Sequence, residues 1–109
     1  MKTTVEFLDA VKARRDLPSD YAAAKVLGVT RAAVSRYRLG QGFFEDIVAL
    51  RVAEILEVDP ITVIAAVNYE RARNESDRRT WSDFLEKISK GFRTLVLPAN
   101  ARGVLFSAA

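Results

Sequence analysis

Two short helix-forming runs meet at one glycine in DYAAAKVLGVTRAAVSRY, Asp20 to Tyr37, and the spacing of their small and branched residues leaves few folds open. Two helices that cross at a sharp angle need a small residue where they meet, which Ala24 supplies. Four residues later the turn needs a backbone at positive φ, and glycine, which adopts it without steric cost, stands there as Gly28. Six residues further Val34 is placed to plug a bundle, with Leu27, Val29 and Tyr37 on the same inward side. Ser19 and Thr30 precede the two runs as N-caps, whose hydroxyls accept from unpaired helix amides. Short capped helices with Ala, Gly and Val at these offsets predict a helix-turn-helix.

The flanking segments also read as helices. In TTVEFLDAVKARR the residues Val5, Leu8, Ala10 and Val11 recur at helical intervals, with Phe7 alongside, and Thr3 and Glu6 form a capping box. Leu17-Pro18 closes this segment, because a residue before proline is pushed out of the α region. LGQGFF, with two glycines, reads as a loop. A fourth helix, EDIVALRVAEIL, carries acids in its first turn and an apolar series Ile47, Leu50, Ala53/Glu54 and Ile55. Asp59-Pro60 is an N-cap followed by a proline at the first helical position, so ITVIAAVNYERARNE is expected to form a fifth helix. Nothing in this region alternates with period two for long enough to be a strand. The first sixty-odd residues predict an all-α bundle.

Composition removes several chemistries. The 109 residues fit one small domain, and with no cysteine and no histidine the usual disulfides, zinc ligands and imidazole bases are missing. No metal-ligand cluster, P-loop or nucleophile motif occurs, so no enzymatic activity and no cofactor are expected. Apolar runs fall short of the roughly 18 residues of a membrane span, and MKTTVEF lacks a signal-peptide core, so the expected compartment is the cytoplasm with no membrane partner. Net charge is +3, and its distribution is uneven: residues 1–42 hold eight Lys/Arg against four acids, residues 43–109 nine against ten. The basic excess therefore lies in the half that carries the helix-turn-helix, which suits an anionic partner there.

The third helix, from residue 31 to about 38, has three arginines and no acid. At about 100° per residue, Ala33, Val34 and Tyr37 share the inward arc, and Arg31, Ala32, Ser35 and Arg36 share the outward one. Arg38 flanks Arg31. Small residues let such a helix approach a DNA major groove closely, and an arginine fork can bond guanine O6 and N7 together, which is worth about 1–3 kcal/mol of discrimination.

AKVLGVTRAAVSRYRLG, followed by IVALRVAEILEVDPITVI, resembles the lambda-repressor/Cro-like (XRE-type) helix-turn-helix family over residues 5 to about 68. The resemblance implies a five-helix DNA-binding domain, and a small phage-associated transcriptional regulator that acts as a repressor on a palindromic operator. It implies base reading by Arg31, Ala32, Ser35 and Arg36. It implies phosphate contacts by Ser19, Tyr21, Thr30, Arg38 and Gln41, around a helix-turn-helix core of Ala24, Leu27, Gly28, Val34 and Tyr37. Two positions depart from the family pattern. Asp20 stands where a phosphate-clamping glutamine is common, and is read as an acid stabilised by the helix N-terminus. Arg38-Leu39-Gly40 replaces an acid-Asn-Gly ending.

Residues 75–109 extend beyond that domain, which is assigned to residues 1–74. Trp81, Phe84, Leu85, Ile88 and Phe92 form an amphipathic stripe, on a helix continuous from residue 60 or broken at 74–76. The stripe either packs back on the same domain or forms the seam of a homodimer, the second being expected because large apolar faces mark interfaces. The apolar tail TLVLPANARGVLFSAA is a candidate β-hairpin or a free end. The expected partners are double-stranded DNA and a second copy of the chain, with regulation left to dimerisation, concentration or a regulatory protein partner. A second reading stays open: an antitoxin or antirepressor-type interaction module that binds a protein through its C-terminal segment.

Overall fold

Five of the six helices described begin at a residue whose side chain replaces a missing backbone partner, the exception being the fourth. A computed structural model of the protein describes residues 2–92, with side chains through Lys90. Six α-helices follow in order: α1 Thr4–Arg14, α2 Asp20–Leu27, α3 Arg31–Arg38, α4 Asp46–Leu56, α5 Pro60–Arg71 and α6 Glu75–Lys87, the last running into a short π-helical turn, Ile88–Phe92. Among the described residues there is no strand. The candidate β-hairpin in the tail and the Phe92 side chain lie outside the described residues.

The capping box is formed in full: Glu6 N–H donates to Thr3 Oγ1 at 3.2 Å and Thr3 N–H to Glu6 Oε1 at 2.9 Å. Ser19, Thr30, Asp59 and Asn74 cap α2, α3, α5 and α6 in the same manner, with side-chain oxygens accepting from amides inside the helix. Asn74 decides between the two readings of 60–89: the helix is broken, and residues 72–74 separate α5 from α6. A further cap comes from the far end of the fold. Glu70 of α5 accepts from both the amide (2.9 Å) and the hydroxyl (2.7 Å) of Thr4, so a carboxylate sits at the positive end of α1 and ties the first helix to the fifth.

The core draws Leu8 and Val11 from α1, Ala23 and Leu27 from α2, Val34 and Tyr37 from α3, Val48 and Val52 from α4, and Val63 and Val67 from α5. Helix α6 contributes no fully buried residue and lies mainly along α5. Two registers differ from those read in the sequence. The inward residues of α1 are Thr4, Phe7, Leu8 and Val11, with Val5 and Ala10 at the edge. The inward face of α4 is Val48, Ala49, Val52 and Ala53, whereas Ile47 and Leu50 are 54% and 43% exposed. Helix α4 is apolar over more than half its circumference, so its largest side chains do not mark which arc turns inward.

The loop between α3 and α4 is anchored rather than open. Phe44 is 1% exposed, with its ring centroid 5.2 Å from that of Tyr37 in an edge-on arrangement and 6.5 Å from that of Phe7. This aromatic trio locks the end of α3 to α1.

Candidate nucleic-acid interface

The α2–α3 corner is defined by Gly28. Its φ of 73° closes α2 in the left-handed conformation, and the amides of Gly28 and Val29 return to Lys25 and Ala24 carbonyls. Ala24, Leu27, Val34 and Tyr37 all lie in the core around this turn. Arg51 of α4 donates to the Leu27 carbonyl at 2.8 Å, adding a cation at the C-terminus of α2. Arg51 of α4 thereby fixes the end of α2 at this corner, and the aromatic trio holds the end of α3.

What α3 turns outward is cationic. Arg31, Ala32, Ser35 and Arg36 are all exposed, and no acid occurs on the helix. Arg36 has no ion-pair partner among the described residues. Arg31 is held: its guanidinium carbon lies 4.8 Å from the centre of the Tyr21 ring, and Lys25 Nζ lies 4.6 Å from the same ring. Tyr21 is 48% exposed, so its hydroxyl stays accessible while its ring carries two cations. Ser19 and Thr30 use their oxygens to accept from Ala22 and Ala33, which leaves each hydroxyl hydrogen able to donate. Ser19, Tyr21, Arg31, Ala32 and Ser35 line one open cleft of about 600 Å³. Gln41 is exposed on the loop beyond α3, its amide bonded to the Arg36 carbonyl.

Arg38, expected at a phosphate, is paired within the protein. Its Nε and Nη2 donate to the two oxygens of Asp20 at 3.0 and 2.9 Å, and Nη1 pairs with Asp9 at 2.8 Å. Lys12 adds a second cation on Asp20, also at 2.9 Å. The three groups of hydrogen bonds join α1, α2 and α3, and the fork of Arg38 is directed inward to carboxylates rather than outward. The reading of Asp20 as a simple helix-terminal acid is likewise incomplete, since it bridges two cations. Neither partner of Arg38 follows from helical periodicity, because Asp9 lies on α1 and Asp20 on α2.

This network has a pH signature. The Arg38 fork, and then the Lys12 ammonium, hold the Asp20 carboxyl at about 2, below its ordinary 3.8, while the same carboxylate raises Arg38 further. A carboxyl depressed on folding binds fewer protons in the folded state, so its stabilisation is present above about pH 4 and is lost as pH falls toward 2. The side chain of Asp20 is 39% exposed, and solvent screening keeps the effect small. Urea unfolding of wild type and Asp20→Asn between pH 2 and 6 is expected to show a stability difference above pH 4 that vanishes toward pH 2.

The α6 stripe is half-buried. Trp81, Phe84, Leu85 and Ile88 all show part of their surface, Leu85 rests against the core, and the Trp81 and Phe84 rings meet edge-on at 6.1 Å. Ile47 and Leu50 of α4, Val58 in the turn after it and Ile61 of α5 are large apolar residues that also remain exposed. Among the described residues no helix is long and apolar enough to cross a membrane.

The described residues form six α-helices and present one short, acid-free helix with two outward arginines. Over an alignment of 83 residues the chain is 30% identical to the uncharacterized protein Gp-c of Pseudoalteromonas phage PM2, a match that covers 72% of this chain and 90% of that protein. The chain belongs to the same family as that phage protein. No family model matches the chain, and no solved structure matches it significantly.

Proposed function

We propose that this protein is a sequence-specific DNA-binding transcriptional regulator, a small phage-type repressor that binds a palindromic operator as a dimer and reads it with α3. The observation that carries this reading is the outward face of α3: Arg31 and Arg36 beside the small Ala32 and Ser35, with no acid on the helix. Each arginine can bond a guanine O6 and N7 together, and the Ala32 methyl can meet a thymine methyl. Ser19, Tyr21, Thr30 and Gln41 surround that face with donors suited to phosphate oxygens, while Arg38 is assigned to the protein's own carboxylates. Stacking on Tyr21 reduces the rotamers Arg31 must give up on binding.

The arrangement also supports a lambda-repressor-like domain, with the glycine turn between α2 and α3 and α5 opening at Asp59-Pro60. Kinship with a phage protein favours a phage-type setting. For a dimer, the half-buried α6 stripe offers a seam, and two-fold symmetry would set two copies of α3 about 34 Å apart, one turn of DNA. A DNase protection assay on the DNA flanking the protein's own gene tests this: two protected half-sites about 10 base pairs apart are expected, and uniform cleavage with no footprint would overturn it. The same Trp81 and Phe84 rings favour a second reading, an interaction module that binds a protein through α6. Recovery of one stoichiometric protein partner, without preference for any DNA, would select it.

A further inference from the structure

We infer that Asp20 limits the sequence-independent attraction of this surface to DNA, by holding Arg38 away from the phosphate backbone. The inference rests on the DNA-binding reading of α3. Asp20 opens α2 and Arg38 closes α3, yet both line the cleft that Arg31, Ser35 and Tyr21 share. Arg38 is therefore within the reading surface and not remote from it. An arginine there with a free fork would attract any phosphate whatever the base sequence, and an unpaired carboxylate would repel the duplex. Together with Asp9 and Lys12 the two form a group of two cations and two anions on three helices, joined by contacts of 2.8 to 3.0 Å. Such a group presents almost no net charge at a distance.

The consequence is a division among the α3 arginines. Arg31 and Arg36 supply the charge that meets DNA, and Arg38 is cancelled within the protein. Sequence-independent affinity grows with each phosphate neutralised, whereas base discrimination does not. Cancelling one cation at this surface lowers the sequence-independent part of the affinity by about one phosphate contact. Asp20 is a positioning residue in this scheme: it touches no base and acts through Arg38.

The test is the salt dependence of affinity for a random-sequence duplex, measured with wild type, Asp20→Asn, Arg38→Gln and the double variant, each shown to be folded by its far-UV circular dichroism and melting curve. Asp20→Asn, which leaves Arg38 a single carboxylate, Asp9, is expected to steepen the slope of log K against log salt by up to about 0.9, the counterion-release value of one phosphate contact, and to raise affinity by up to about five- to tenfold at 0.1 M salt. Arg38→Gln is expected to leave the slope at its wild-type value, and the double variant to return to it. A slope that Asp20→Asn does not change, or one that Arg38→Gln lowers by about 0.9, overturns the role of Asp20. So does a double variant that stays as steep as Asp20→Asn, because the lost carboxylate and not the freed arginine would then be the source. If Asp20→Asn does not fold, Arg38→Gln alone decides, since an arginine already cancelled leaves no slope to lose. Wild type that shows no salt-dependent binding to duplex DNA removes the DNA reading itself, whereas wild-type binding with an unresponsive Asp20→Asn overturns only the role of Asp20.

Discussion

Phe44→Ala is expected to lose about 3–5 kcal/mol of folding stability, the usual cost of emptying a buried phenylalanine site. Phe44 is 1% exposed and is the largest fully buried side chain described. Its ring meets Tyr37 edge-on at 5.2 Å and Phe7 at 6.5 Å, so truncation removes two aromatic contacts as well as apolar area. The neighbours cannot readily close the gap, because Phe7 is fixed on α1 and Tyr37 on α3. A domain of this size is stabilised by roughly 5–15 kcal/mol in total, so a substantial part is at stake. Urea denaturation should show a lower midpoint with an unchanged slope. Phe43→Ala, one residue earlier and only partly buried, is the control and is expected to cost clearly less. Equal losses at the two positions would contradict the assignment of Phe44 as the anchor of α3.

Gly28→Ala is expected to cost about 2 kcal/mol, from two sources that can be separated. A β-carbon at φ 73° is strained by about 1 kcal/mol wherever it occurs. At Gly28 it would also collide with the Arg51 guanidinium, which must then move and weaken its bond to the Leu27 carbonyl, worth about another 1 kcal/mol. Gly40 has the same φ with nothing within 4 Å of a β-carbon, so Gly40→Ala should show the first cost alone. In an Arg51→Ala background the cost of Gly28→Ala should fall to about that of Gly40→Ala, as a double-mutant cycle on melting curves would reveal. An unchanged cost in that background would mean that the backbone alone sets the requirement for glycine.

The local features of this fold were legible because they are written in adjacent residues. Thr3 with Glu6, Ser19, Thr30 and Asp59-Pro60 name their own helix starts, and Gly28 names its turn. The separation of Arg31, Ala32, Ser35 and Arg36 from Val34 and Tyr37 also needs only the helical repeat. What escaped were contacts between residues distant in sequence. Glu70 reaches back 66 positions to Thr4, and Arg38 finds Asp20 and Asp9 on two other helices. A loop written LGQGFF gives no sign that its second phenylalanine is core, since the pocket between Phe7 and Tyr37 exists only once the helices have packed. The register of α4 escaped for another reason: where apolar residues surround most of a helix, the arc turned inward is set by the neighbours.

The proposed base reading by the outward arginines of α3 is tested by comparing wild type with Arg36→Ala on two duplexes. One duplex carries the DNA flanking the protein's own gene and the other a scrambled sequence of equal length, both followed by fluorescence anisotropy at fixed salt. Arg36 is exposed and makes no ion pair among the described residues, so its removal should leave helicity and melting unchanged. Arg36→Ala is expected to lose about 1–3 kcal/mol on the flanking DNA, roughly fivefold to 150-fold in Kd. Binding to the scrambled duplex should weaken by much less. Equal affinities of wild type and Arg36→Ala for the flanking DNA, or equal losses on both duplexes, would contradict base reading by this face of α3.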